Sequence, residues 1–293
     1  MSNSLTQYIS LFEENRDLIC GNSAPALNAP RSEALDIVRS SRLPDKNTEG
    51  FEKTSIEEMF APDYGVNIAR VNIPVINDSF HPTSKLESKL PEGVIFGSLK
   101  RIAEEKPSLI EKYYNTVAPA ENPSVALNTL LAQDGVMIYV PKGVRVERPL
   151  QLVNVFSSPV PLAAFRRILI VLEEGAELQL LVCDHTQNRD KSYLAAQVSE
   201  VILGEGSRLE VCSIEESSEK TSRYSRLFVR QESGSHFSFN STTLTCGTTR
   251  NDFSVSLLGE HCETMLAGMV IGSGKMHVDN DSDIRHMAPR CHS

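Results

Sequence analysis

From about residue 130 the sequence repeats one unit: a strand, a short glycine-bearing turn and a second strand. It recurs as GVMIYVPKGVRVERPLQLV, RILIVLEEGAELQLLV, SEVILGEGSRLEVCSI, RLFVRQESGSHFSFNSTTL and DFSVSLLGEHCETMLAGMVI. The turn glycines are Gly143, Gly175, Gly206, Gly234 and Gly259, at intervals of 32, 31, 28 and 25 residues. A loose period of this size predicts a stacked solenoid rather than a propeller with blades of fixed length. Within a unit the residues alternate. Phe237 and Phe239 are interleaved with Ser238 and Asn240, and Phe253, Val255 and Leu257 with Ser254 and Ser256. Period two sends one set inward and the other outward. One unit cannot bury its apolar face, but stacked units share a continuous core. Glycine at the corner accepts dihedrals that other residues resist.

Two stretches break the alternation. RILIVL is apolar on both faces, as are LQLLV and part of VMIYV. Strands of this kind are covered on both sides, either by the N-terminal helices or by a partner, and the intramolecular cover is the one expected.

That region reads as helical. Leu5, Ile9, Phe12 and Ile19 stand near helical spacing, and RSEALDIVRSSRLP repeats the pattern with Leu35 and Val38 before Pro44. SIEEMFAP reads as a short helix capped by Ser55, with Glu58 three residues on. A polar, proline-bearing stretch, NDSFHPTSKLESKLPEG, follows Val75 and Ile76, and SLKRIAEEKPSLIEKYYNTV reads as two helices broken at Pro107. The organisation expected is a mostly helical region over 1–125 and a β-helix core over 126–293. The fold class is mainly β: a right-handed parallel β-helix, a single-stranded solenoid, preceded by an α-helical N-terminal region. No capping helix follows DFSVSLLGEHCETMLAGMVIGSGKMHVDNDSD. The core is therefore expected to be incomplete at its C-terminal end, with a C-terminal helical region missing.

Composition narrows the function. The 293 residues carry a net charge of -9 and no Lys/Arg-rich run, which argues against a nucleic-acid partner. No secretory signal opens the chain and no stretch is long and apolar enough to span a membrane. The six cysteines contain no C-x-x-C and read as reduced thiols of a cytoplasmic protein.

The segment HVDNDSDIRHMAPRCHS offers the only metal-like pattern. Asp279, Asp281 and Asp283 copy the first three liganding positions of an EF-hand loop, but Ile284 stands where its glycine belongs and Arg290 where its bidentate glutamate belongs. The pattern is better read as a solvated solenoid turn. His277, His286, Cys291 and His292 match no zinc framework. They are the metal candidates, with His261 and Cys262 of the preceding unit able to approach if the rungs stack. Their commoner role is as ordinary buried or surface residues. Gly272 and Gly274 fail both phosphate-loop patterns and read as a tight turn. No catalytic or cofactor-binding constellation stands out, and the chain is read as one that acts by its surfaces.

Three stretches together are specific: ALNTLLAQDGVMIYVPKGVRVERPLQLV, ILIVLEEGAELQLLV and TRNDFSVSLLGEHCETMLAGMVIGSGKMHVDNDSDIRHMAPRCHS. They resemble the SufB/SufD family of subunits of the SUF iron–sulfur cluster assembly machinery, from about Arg31 to Ser293. The family positions found here are Arg250, Asp252, Gly259, Asp279, His286, Pro289 and Ser293. The lead-in RSEALDIVRSSRLPDKNTEGFEKTSIEEMF, with Phe51 where Trp is common, is similar to the SufD branch rather than the SufB branch. The resemblance implies a non-catalytic scaffold subunit that pairs with a SufB-like subunit and a SufC-like ATPase and supports iron acquisition. No cofactor is bound tightly, while iron, a transient iron–sulfur cluster and reduced flavin belong to the level of the complex. It also implies that the chain is a fragment, since the family continues into further rungs and a helical region that docks the ATPase. Within the family the alternative is the SufB-like paralogue of the same complex, and two further readings stand outside it. One is a secreted-type β-helix carbohydrate-active enzyme, disfavoured by the lack of Trp. The other is a structural protein that forms a homodimer through an open solenoid end.

Overall fold

The computed structural model describes residues 3–66 and 90–293. The stretch NDSFHPTSKLESKLPEG lies outside the described residues except for its last four.

The N-terminal periodicities become α1 (Leu5–Glu14), α2 (Arg16–Gly21), α3 (Pro25–Asn28), α4 (Arg31–Ser40) and α5 (Ile56–Phe60). In α5 the Ser55 hydroxyl accepts the Glu58 N–H, as the capping pattern requires. A two-strand lead-in, β1 (Gly65–Val66) and β2 (Ile95–Ser98), is followed by α6 (Leu99–Glu105) and α7 (Pro107–Tyr113). The break between them falls at Lys106, before Pro107. The next helix, α8 (Pro123–Leu131), was not legible as one, because every residue from Ser124 to Leu131 is buried and no amphipathic stripe exists.

The repeats build two parallel sheets. Sheet A contains β3 (Val136–Val140), β5 (Leu162–Leu172), β7 (Tyr193–Leu203), β9 (Thr221–Gln231), β11 (Thr248–Leu257) and β13 (His277–His286). Sheet B contains β4 (Leu150–Phe156), β6 (Glu177–Thr186), β8 (Arg208–Glu216), β10 (His236–Thr245) and β12 (Glu263–Val270). Strands alternate between the sheets along the chain, so each rung contributes one strand to each. The register is held from rung to rung: Ile168, Ser199, Leu227, Phe253 and Ser282 form one column. At the first rung β2 runs antiparallel to β3, and β1 pairs with β5. The expected parallel β-solenoid is thus what the chain forms.

The corner stack differs from the sequence expectation at its fifth member. Gly143, Gly175, Gly206 and Gly234 all have φ between 64° and 70°, and the next members of this same corner are His261 and Arg290, both at φ 60°. Gly259 is not the corner. It stands two residues earlier, where an added Cβ would lie 2.0 Å from the Ser233 nitrogen. The corresponding residue one rung pair back, Gly204, is also pressed against backbone, with a Cβ 2.8 Å from Glu173. Two separate demands, a left-handed corner and a close backbone approach, use the same residue type, and sequence spacing alone merges them.

The two sheets differ in cover. Every residue of β5 and β7 is buried. Their inward faces, with Ile168, Ile170 and Leu172, meet Leu178, Leu180 and Val182 of β6 in the interior core. Their outward faces are covered by helices. Phe165 packs edge-on against Tyr8 at 5.6 Å, and Tyr8 against Phe60 at 6.0 Å. Leu169 and Val171 are buried beneath α6 and α7. The cover is tied down by polar contacts. Arg31 donates to the free carbonyls of Leu130 and Ala132 at the end of α8, and Arg167 pairs with Glu200 at 2.5 Å. Glu200 also accepts the N–H groups of Asn115, Val117 and Ala118. Among the described residues no helix covers sheet B in this way. The stretch LQLLV lies in β6, where Leu181 points outward half-buried, and Val153 of β4 is 47% exposed. Among the described residues the strands buried on both faces throughout are β5 and β7 of sheet A.

The segment expected to be a turn, DNDSD, is instead the middle of β13. Arg250, Asp252 and Ser254 of β11 pair in register with Asp279, Asp281 and Asp283. The three aspartates therefore share the outer face of one strand, which a calcium loop cannot do.

Candidate functional site

The interior of the solenoid is divided. Near the glycine corners it is apolar; toward the opposite corners the inward positions become polar and charged. Arg166 of β5, Asp184 of β6, Glu215 of β8, Arg223 of β9 and Asn251 of β11 all point into this half and are buried. Arg166 pairs with Asp184 at 2.6 Å and lies over the Phe156 ring at 4.4 Å. Arg223 reaches Asp184 at 3.5 Å, Glu215 at 3.7 Å and the Asn251 side-chain oxygen at 3.0 Å. Glu215 also accepts from Ser217 and Thr249, at 3.1 and 2.9 Å. Two guanidinium groups thus face two carboxylates, which balances the charge that burial would otherwise oppose.

Burial pushes the Glu215 carboxyl above its ordinary range, with Arg223 acting against that shift and Asp184 adding to it. Burial opposes the Arg223 charge as well, but Asp184 and Glu215 hold its pKa above the usual value. A thiol completes the group. Cys246, fully buried at the corner before β11, is pushed up to about 11 by burial and then by Glu215. At neutral pH it is a thiol and not a nucleophilic thiolate. The side-chain oxygen of Gln197 and the side-chain nitrogen of Asn154 have no hydrogen-bond partner among the described residues. Such a lining can hold water or a small polar species between the sheets.

A second polar cluster lies outside sheet A. Arg250 reaches Asp252 and Asp279 at 2.6 Å each, donates to the Gly50 carbonyl at 2.9 Å and lies 4.6 Å over the Phe51 ring. The Thr54 hydroxyl bonds Asp279 at 2.7 Å, and Tyr224 bonds Asp252 at 2.7 Å. Arg250, Asp252 and Asp279, family positions in the sequence, are therefore brought together as a clasp that binds the 50–54 segment to the solenoid.

The metal candidates do not converge. His277 opens β13, with its Nε2 2.7 Å from the Thr54 hydroxyl. His286 closes the same strand, roughly 30 Å away by strand rise, and meets the Ser293 hydroxyl at 3.0 Å. Cys291 donates to the Gly259 carbonyl at 3.2 Å, and His292 pairs through its backbone with Glu263. His261 lies beside Arg290, at 3.5 Å, and the Cys262 thiol is turned into the core. Among the described residues no group of three or more His, Cys, Asp or Glu side chains is placed to hold a metal ion. The interior array went unseen in the sequence. Its signal was a charged residue at an inward position of an alternating strand, as Arg223 is in TSRYSRLFVRQ and Asp184 in ELQLLVCDHT.

Comparison with known proteins gives a consistent result. Residues 2–76 and 74–152 match the SufBD protein N-terminal region, and residues 155–293 match the SufBD core domain of SUF system FeS cluster assembly. The iron-sulfur cluster assembly SufBD family protein slr0074 of Synechocystis is 33% identical over 183 residues, covering 61% of this chain and 36% of that protein. The iron-sulfur cluster assembly protein SufD of Bacillus subtilis is 27% identical over 198 residues, covering 67% of this chain and 45% of that protein. A second Synechocystis relative, slr0076, is 21% identical over 97% of this chain and 70% of that protein. The chain thus spans about a third of the first relative and under half of the second. No helix among the described residues is long and apolar enough to cross a membrane. The two family regions follow one another along almost the whole sequence, and the fold they cover is one continuous solenoid with its helical cover: the chain belongs to the SufBD family.

Proposed function

We propose that the chain is a SufD-type, non-catalytic subunit of the SUF iron–sulfur cluster assembly complex. It pairs with a SufB-like subunit, works with a SufC-like ATPase and supports iron acquisition in the cytoplasm. The observation that carries this reading is the family match running from residue 2 to residue 293 with only a two-residue gap. The similarity to Bacillus subtilis SufD, over 67% of the chain, favours the SufD branch. The buried chemistry agrees with a structural role, since the interior charges are paired and Cys246 is held as a thiol. Iron and the nascent cluster are cargo of the complex, and reduced flavin is assigned to the complex rather than to residues of this chain.

The test is co-purification. The chain, co-expressed with tagged SufB-like and SufC-like subunits of its own organism, is expected to be retained through the SufB-like subunit. Retention with neither overturns the scaffold reading. Formation of a complex in which the chain replaces the SufB-like subunit moves it to the SufB branch.

A further inference from the structure

Cys262 and Cys291 occupy the same position in successive rungs. Glu263 and His292 pair as parallel neighbours, and the His292 N–H donates to the Cys262 carbonyl at 2.9 Å. Each cysteine directly follows a corner residue with φ 60°, His261 or Arg290. Both thiols donate to one acceptor, the Gly259 carbonyl, at 3.2 Å each. Neighbouring strands stand about 4.8 Å apart, inside the roughly 4.4–6.8 Å between Cα atoms that a disulfide spans. The other cysteines have no such neighbour in register. Cys212 pairs with Leu181, which leaves Cys183 on the diagonal, about 7–8 Å away. Cys246 lies at the opposite corner.

We propose that Cys262 and Cys291 form a dithiol modification site, oxidised by peroxide to a reversible disulfide that clips the 290–293 segment to the rung before it. The half-exposed Cys291 thiol reacts first: its sulfur is oxidised to a sulfenic acid, and the peroxide is reduced to water. The Cys262 sulfur then attacks the Cys291 sulfur. The S–S bond forms, the S–O bond breaks, and the hydroxyl leaves as water with the Cys262 proton. A thiol reductant reverses the step by exchange. Cys262 is fully buried and Cys291 is not, which fixes the order of the two steps. Closing the link constrains the unfolded chain and so raises stability.

Serine variants make the test clean, because this ladder position is already serine at Ser207 and Ser235, both buried. The full chain and its Cys291→Ser and Cys262→Ser variants are treated with hydrogen peroxide, digested without reductant and mapped by mass spectrometry. The expected result is a peptide containing Cys262 linked to one containing Cys291. The link is lost on reduction and absent from both variants, and the oxidised wild type alone shows a raised Tm. Both thiols remaining free while the exposed Cys212 is oxidised overturns the proposal. So does a link that joins Cys183 to Cys212 instead, or overoxidation of Cys291 without a link.

Discussion

Arg250 and Asp279 occupy matched register positions on β11 and β13, and their side chains meet at 2.6 Å with the Arg250 side chain only 3% exposed. The pair binds two distant parts of the chain, because the same guanidinium holds the Gly50 carbonyl. Arg250→Ala removes the guanidinium that holds Asp279 and leaves Asp252 with Arg226 alone, at 3.9 Å. The expected cost is about 3 kcal/mol, read by urea denaturation, with faster proteolysis in the 50–54 segment as the local signature.

Acid should act through the same clasp. Burial alone would raise the Asp279 carboxyl, but hydrogen bonds from Thr54 and Arg250 hold it below the ordinary carboxylate range. A carboxylate depressed in the folded state stabilises the fold fully above its unfolded pKa, and that stabilisation is lost as the pH falls through the folded pKa. Wild-type protein should therefore lose stability on acidification below about pH 4 more steeply than Asp279→Asn. Parallel stability curves for the two would refute the assignment.

The interior array should be far less tolerant of losing a cation. Arg223→Ala leaves Glu215 buried without its cationic partner and Asp184 with Arg166 alone. The expected loss is roughly 3–5 kcal/mol. Arg208→Ala on the open face of sheet B, where the partner Glu210 is solvated, should cost under about 1 kcal/mol. Thermal melts of the two variants side by side check the contrast.

Cover predicts a second contrast, between two leucines. Leu169 lies fully buried under α6 and α7, while Leu181 stands half-buried on the face of sheet B that no described helix covers. Truncating Leu169 to alanine should cost about 2–5 kcal/mol. The same change at Leu181 should cost about 1 kcal/mol or less, in proportion to the apolar area it buries. Equal losses would mean that sheet B is covered in solution.

The corners separate two uses of glycine. Gly259→Ala places a Cβ 2.0 Å from the Ser233 nitrogen and forces a backbone shift, so a clear fall in Tm is expected. His261→Gly relieves a left-handed corner and should stabilise by about 1 kcal/mol. If His261→Gly destabilised and Gly259→Ala did not, the corner would belong at Gly259 after all.

The sequence by itself determined the solenoid, the two-sided burial of RILIVL and the breaks at Pro107 and around Ser55. Each rests on a local rule: side-chain alternation, proline geometry, or a capping hydroxyl. It also carried the family resemblance, through three stretches taken together, the last of which holds Arg250, Asp252 and Asp279. Only the tertiary structure decided where each strand goes. LQLLV resembles a covered strand in composition, yet it lies in sheet B, and no local signal says which sheet receives the helices. DNDSD resembles a loop, yet pairing with β11 makes it a strand, because ten in-register ladder partners outweigh the turn preference of five polar residues. The interior cluster of Arg166, Asp184, Glu215 and Arg223 draws its members from four strands 57 residues apart at the extremes. Only stacking of the rungs brings them within reach of one another. The same holds for Cys262 and Cys291: 29 residues separate them in the chain, and one rung, about 4.8 Å, separates them in space.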